Sequence, residues 1–586
     1  MRLGHHSWML GLLLLSSPPV AADEPTVKGD YYVAVKGNDQ NPGTREKPFA
    51  TIGRARDEVR KTIREGLRAD LTVLIRGGTY ELPEALVFGP EDSGTENNSI
   101  TYAAFPGEKP LLSGGRPITG WKQGEGKLWT AEVAPVKAGK WYFRQLFVGG
   151  QRRQRARLPG QDFFRIQGNI DVNGETCSFR FRKGDLRKAW IDQGDAEVVV
   201  LQKWAEARLP LKSVDEGTLT AGCSGKPSPY SAVEDSPYWV ENVIDGLGGP
   251  GQWYLDRKTG RLSYWPLPGE DMTKVEVIAP AREELVALRG AGERRLVRNI
   301  RLRGLTFCYG DWSLPATGYA NVQAASEVPG AVRAAHAVSC SIEDCTFEHL
   351  GKYALDFGPG CKDNRVVGNR MADLGAGGVV VGNRPGHLAE ALRQSGNVIA
   401  NNYIHDGGLV YPGCVGILVM IADGTTLAHN LVHDFPYTGI AVGWSWNTDA
   451  TDARRNRVEF NHIHHVMKLM SDGAGLYTLG LQPETVLRGN LIHDVARSAS
   501  AQGSPCNGLY LDEGSKGFHI EGNIVYQVSG EPLFRHQSEE KWHTWSANYF
   551  GVAPDSPKFP KEAADKAGLE PNYRKALLEA EPAKKK

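Results

Sequence analysis

From about residue 340 onward, short apolar runs alternate with Gly, Asn and Asp in a phrase that keeps returning. It reads "CTFEHLG" at Cys345, "NRMADLG" at Asn369, "NYIHDGG" at Asn402 and "NLVHDFP" at Asn430. It continues as "NHIHHVM" at Asn461, "NLIHDVA" at Asn490 and "NIVYQVS" at Asn523, at spacings of 24, 33, 28, 31, 29 and 33 residues. A second phrase follows the middle copies: "GVVVG" at Gly378, "GILVM" at Gly416, "GIAVG" at Gly439, "GLYTL" at Gly475 and "GLYLD" at Gly508. Apolar residues at every second position predict strands with one buried face. Units of this length that cannot bury that face alone must stack. With no helical run between them, the stack predicts a right-handed parallel β-helix with coils ~4.8 Å apart. The recurring Asn then falls at one turn, where stacked amides bond to each other and to the backbone.

Outside the repeat the pattern changes. Residues 23–115 predict a strand, a helix N-capped near Thr51 and the first coils, the helix covering the open end of the stack. Residues 116–290 lose the phrase, are rich in Trp, Tyr and turn dipeptides, and predict an inserted antiparallel β-sandwich-like domain. The main β-helix is expected over 291–556. Residues 557–586 read as a C-terminal cap and a charged tail. The fold class is therefore all-β.

Loop lengths locate candidate chemistry. The distance from Asn to the following Gly is 9 residues in two coils, but 14, 14 and 18 in the others. After Gly378 and Gly439 the next Asn is delayed to 24 and 22 residues. Long loops on a rigid scaffold usually carry function. "KLMSDGAGLYTLG" places Asp472 where a lengthened loop re-enters a strand, and "GLYLDEGS" places Asp512 on the following coil. Trp444 and Trp446 project from the coil before. Paired carboxylates beside aromatic faces suit glycosidic hydrolysis, where one acid protonates the leaving oxygen and the other is nucleophile or base. The sequence leaves those roles open, although apolar Leu469, Met470 and Leu479 lean toward Asp472 as the acid. Glu513, His464, His465, Arg535 and His536 are candidate substrate contacts.

Composition narrows the function classes. There are 68 basic and 68 acidic residues, and the only basic run is the terminal Lys584-Lys585-Lys586, so no nucleic-acid partner is expected. The eight cysteines show no metal-type spacing, and neither a metal nor another cofactor is expected. Residues 1–22 read as a signal peptide, predicting a protein exported to the periplasm or the extracellular space. No later apolar run is long enough to insert in a membrane. A monomer acting on a polysaccharide or oligosaccharide is the expectation.

"GNDQNPGTREKPFATI", "RARLPG", "SDGAGLYTLG" and "GLYLDEGS" together resemble glycoside hydrolase family 141, β-helix enzymes that include an α-L-fucosidase and a xylanase. The resemblance spans nearly the whole chain after residue 22 and implies that Asp472 and Asp512 are the catalytic carboxylates. Two alternatives stand beside it. One is a polysaccharide lyase acting on uronate glycans with Lys468 as base, for which Arg152, Arg153, Arg155 and Arg157 would hold acidic sugar. The other is a carbohydrate-binding β-helix without catalysis. The column His405, His433, His464 and His493 reads as architectural, since one imidazole per coil gives a line and not a coordination shell.

Overall fold

The computed structural model describes residues 28–231, 233–382 and 389–579, so the signal-peptide reading and the last charged residues lie outside it. The repeat phrases form three parallel sheets of twelve, eleven and ten strands. One coil contributes a strand to each in turn, as Leu481–Arg488, Leu491–Val495 and Cys506–Leu511 do before Lys516–Glu521 begins the next. Inward positions stay in register along the stack. Leu427, Val458, Leu487 and Ile520 form one interior row, and Ile404, Val432, Ile463 and Ile492 another. All eight are buried, and each such side chain contributes roughly 1.5–3 kcal/mol.

The recurring asparagines are inward and fully buried at the turn from the twelve- to the eleven-stranded sheet. Asn430 Nδ2 donates to Asn461 Oδ1 at 2.9 Å, Asn461 Nδ2 to Asn490 Oδ1 at 3.0 Å, and Asn490 Nδ2 to Asn523 Oδ1 at 2.9 Å. Each amide also donates to a backbone carbonyl, for example Asn461 to Leu427 at 2.9 Å. The histidine column is stacked too, with ring centroids 4.6 Å apart for His433–His464 and 5.1 Å for His464–His493.

At the N-terminal end, helix Ile52–Gly66 lays Ile52, Ala55 and Val59 on the first coils. Thr51 Oγ1 accepts from Arg54 N at 3.1 Å, the N-cap the sequence suggested. The described residues of the C-terminal segment do not cap the far end. They run back along the flank of the stack: Gly568 N donates to Phe460 O, His429 Nδ1 to Gly568 O and Asn401 Nδ2 to Glu570 Oε2, while Tyr573 lies over Gly368.

The insertion replaces one corner of one coil. The chain leaves after Pro110–Ser113 of the eleven-stranded sheet and re-enters the ten-stranded sheet at Val286–Arg289. Its neck is the antiparallel pair Gly115–Pro117 and Val277–Pro280. The coil thus resumes a few residues before the expected boundary at 290. The domain builds two sheets, an eight-stranded one and eight strands of a nine-stranded one, each over its own core. Pairing is antiparallel except where Gln154–Arg155 runs parallel to Gln252–Trp253. The next coil's corner loop adds Tyr319–Ala320 to the edge of the nine-stranded sheet. The insertion therefore stands over the corner from which the lengthened loops rise.

Candidate active site

On the ten-stranded sheet, Gly473–Thr478, Cys506–Leu511 and Leu533–Arg535 lie side by side. Register aligns Leu476 with Leu509 in the interior and Tyr477, Tyr510 and Phe534 on the outer face. Asp512, two residues after Tyr510, emerges on that outer face. Its turn requires Gly514, which has φ +75°, and whose Cβ would sit 2.2 Å from Asn447 O. Asp472 immediately precedes its strand with φ +56°, a left-handed conformation that Asp tolerates. Asp472 N donates to Ser504 O at 3.2 Å, and its carbonyl accepts from Tyr437 Oη at 2.9 Å. That bend brings it to Asp512 despite their offset along the two phrases.

Each carboxylate bonds to a tyrosine hydroxyl. Tyr510 Oη donates to Asp472 Oδ1 at 3.4 Å. Tyr477 Oη donates to Asp512 Oδ2 and accepts from Gln323 Nε2 at 3.1 Å. His536 Nδ1 sits 2.8 Å from Asp512 Oδ1. Burial, and next the neighbouring Asp512 charge, push the Asp472 carboxyl up to about 6; Lys203, Tyr510 and His536 oppose the shift. Both tyrosine hydroxyls are raised well above the usual phenol range, first by burial and then by Asp512. They stay protonated and donate.

Above this floor opens a cavity of about 640 Å³. Its walls come from the β-helix (Trp446, Ser504, Glu513, Phe534), from the insertion (Trp204, Tyr230) and from the corner loop beneath it (Val322, Gln323). Of the described residues that line it, three are carboxylates and none is Lys or Arg.

Of the expected site residues, the structure gathers Asp472, Asp512, Glu513, His536 and Trp446 here. The others lie elsewhere. Trp444 is buried and supports Trp446 edge-on, with centroids 5.2 Å apart. His464 and His465 sit on His462–Val466 of the eleven-stranded sheet, around a corner from the cavity, with their Nδ1 atoms 2.7 Å apart. Arg535 points off the opposite face from Phe534 and pairs with Glu540 at 2.9 Å. Lys468, the base of the lyase reading, pairs with Asp434 at 2.7 Å outside the cavity. The arginines of the insertion are also engaged: Arg152 with Asp373, Arg153 with Glu270, Arg155 with Glu197, and Arg157 over Trp239. All eight cysteines are buried free thiols.

Tyr477, Tyr510, Gln323, Trp204 and Tyr230 were not foreseen as site residues. The tyrosines carried a signal, since each occupies the outward position of "GLYTL" or "GLYLD". The other three arrive from distant segments with no motif around them.

A deep cavity on a β-helix, floored by two carboxylates in unlike settings and walled by aromatics, defines a carbohydrate-cleaving enzyme. Residues 126–267 match the model of the GH141 insertion domain, and residues 330–525 match that of the right-handed β-helix region. A solved structure described as a glycoside hydrolase is 28% identical and superposes with a TM-score of 0.83, covering 93% of this chain and all of that one. XylC, solved in complex with xylose, aligns at 14% identity with a TM-score of 0.48 over 85% of this chain and 76% of that one. The uncharacterized protein YwoF of Bacillus subtilis (strain 168) is 40% identical over 87 residues, which span 15% of this chain and 16% of that protein. The chain is a β-helix glycoside hydrolase that carries a GH141-type insertion domain.

Proposed function

We propose that the protein cleaves the glycosidic bond of a neutral sugar, with Asp472 as general acid and Asp512 as nucleophile or base. The reading rests on the two carboxylates, from adjacent coils, lining one cavity, each bonded to one of two tyrosines whose rings lie 5.1 Å apart. Asp472, the carboxyl with the raised pKa, keeps a proton to donate to the leaving oxygen. Asp512, receiving bonds from Tyr477 and His536, faces the anomeric carbon either directly or through a water. Both carboxylates line one cavity, close enough for the Asp512 charge to act on Asp472, an arrangement suited to flanking one glycosidic bond.

The cavity's three carboxylates, unopposed by any lining Lys or Arg, favour neutral sugars. A uronate carboxylate ~5 Å from one of them is opposed by about 3 kcal/mol at an effective dielectric near 20. The uronate-lyase reading also lacks its base, since Lys468 pairs with Asp434 outside the cavity. The resemblance to the α-L-fucosidase and xylanase family suggests fucosyl or xylosyl linkages in plant-type or other complex glycans. The apolar segment of residues 9–15 behind Arg2 supports action after export. In a panel of aryl glycosides (fucoside, xyloside, arabinoside, galactoside) with xylan and pectin, Asp472→Asn and Asp512→Asn should each stay folded. Each should lose about three or more orders of magnitude in turnover, an effect of roughly 4 kcal/mol on the barrier. Glu513→Gln should lose much less, and the first-formed anomer, read by NMR, distinguishes direct attack from water activation. Near-normal turnover in Asp512→Asn would end this assignment.

A further inference from the structure

Among the described residues, the two most exposed aromatic side chains are Tyr230, 72% exposed, and Trp446, 39% exposed. Both line the one cavity that holds the aspartates, and so does Val322, another exposed large apolar residue. They arrive from three separate segments, so their convergence is no accident of neighbouring sequence. Large apolar groups gathered at the rim of a polar cavity mark a contact surface.

The rim is also held in place. Trp446 is backed by Trp444, and the adjacent Asn447 packs against Gly514 in the Asp512 turn. Tyr230 lies in the insertion between Thr220–Ser224 and Pro237–Glu241. Its loop is fixed on one side by Gln202 Nε2 donating to Ser228 O at 3.1 Å and by Lys203 N donating to Ser231 O at 3.2 Å. Farther along, Gln502 Nε2 donates to Glu234 O at 2.9 Å, which ties the same loop to the segment carrying Ser504. Trp204 Nε1 donates to Val322 O at 2.9 Å and joins the insertion to the third rim segment. An aromatic face with an anchored base suits stacking against the C–H face of a sugar, because little ordering is left for the moment of binding.

Size points the same way. A pyranose of about eleven heavy atoms, each needing well under a water's ~30 Å³, fills roughly 200 Å³. A cavity of about 640 Å³ leaves room beside the reacting ring.

We infer that Tyr230, supplied by the insertion, and Trp446 are the stacking platforms of a second sugar subsite. The substrate is then an oligosaccharide or glycan branch with at least one neutral sugar beyond the ring whose bond is cleaved. This rests on the glycosidase reading of the aspartates, and the two can fail separately. The measurement compares kcat/KM for a 4-nitrophenyl fucoside or xyloside with that for a trisaccharide ending in the same sugar. Tyr230→Ala should lower the trisaccharide value about tenfold more than the aryl-glycoside value, and Tyr230→Phe should restore the trisaccharide value. Equal loss on both substrates, or loss on neither, overturns the subsite. Turnover surviving in Asp512→Asn overturns the catalytic assignment instead.

Discussion

Replacing Asn461 by Ala removes a carboxamide that makes four hydrogen bonds at zero exposure. Its Nδ2 donates to Leu427 O at 2.9 Å and to Asn490 Oδ1 at 3.0 Å; its Oδ1 accepts from Asn430 N at 3.1 Å and from Asn430 Nδ2 at 2.9 Å. Some partners keep a second bond, since Asn430 Nδ2 still reaches Ile399 O and Asn490 Oδ1 still accepts from Asn461 N. The Asn430 N–H loses its acceptor inside the coil. One orphaned buried donor costs about 1–3 kcal/mol and each of the three other lost bonds about 0.5–1.5, so the variant should be less stable by about 2.5–7.5 kcal/mol. Asn461 lies at the turn before the eleven-stranded sheet and does not line the cavity. Thermal and urea unfolding should therefore shift to lower midpoints while aryl-glycoside turnover at 25 °C stays near wild type. An unchanged midpoint with activity abolished would mean that the ladder residue acts in catalysis. An unchanged midpoint with unchanged activity would mean that the ladder contributes no stability.

Two further outcomes concern pH. Asp472 is raised to about 6, so it is protonated below that value and loses its proton above it, and kcat/KM should fall on the alkaline side of about pH 6. Lys203 opposes that shift, so Lys203→Met should move the falling limb upward in pH; a limb that stays put or moves down would remove Asp472 as the acid. Burial, then the neighbouring histidines, press His462 down to about 2 and His464 to about 3, against 6.5 in the unfolded chain. The folded state thus resists protons that the unfolded state takes up, and stability should fall as pH drops below 6.5. At pH 5 the loss is about 2 kcal/mol for each histidine held neutral. Asp434 and Asp494 at the column's edge moderate it. His462→Gln should flatten the decline in melting temperature between pH 7 and 5, and an identical slope would refute the assignment.

What could be read beforehand follows from what repeats. The Asn turn and the interior strand positions recur because every coil faces the same packing problem, so the β-helix and the ladder were legible. Asp472 and Asp512 were legible because loop lengths break that repeat where they stand. Side-chain direction at corners was harder. His464 is only eight residues from Asp472, but a corner between sheets separates them. Trp444 turns inward and Trp446 outward because the strand ends at Val442 and its two-residue alternation does not extend to them. Arg535 and Phe534 exchange faces by a single position, which is all that parity on a strand requires. Gln323, Trp204 and Tyr230 reach the cavity only through the docking of the insertion on the following coil's loop, a contact that no local pattern announces.

The C-terminal segment that returns along the flank changes how the coils can come apart. A stack in which each coil touches only its neighbours behaves like a one-dimensional lattice, able to fray from an end one repeat at a time. Here a single strap touches Tyr526 through Phe559 at 5.6 Å, then Phe460, His429 and Asn401, and ends with Tyr573 over Gly368. The last coils cannot peel away without breaking contacts to coils far back along the axis. The strap thereby makes cooperative a scaffold whose own connectivity is only nearest-neighbour. Asp472 and Asp512 lie on coils within the span it covers.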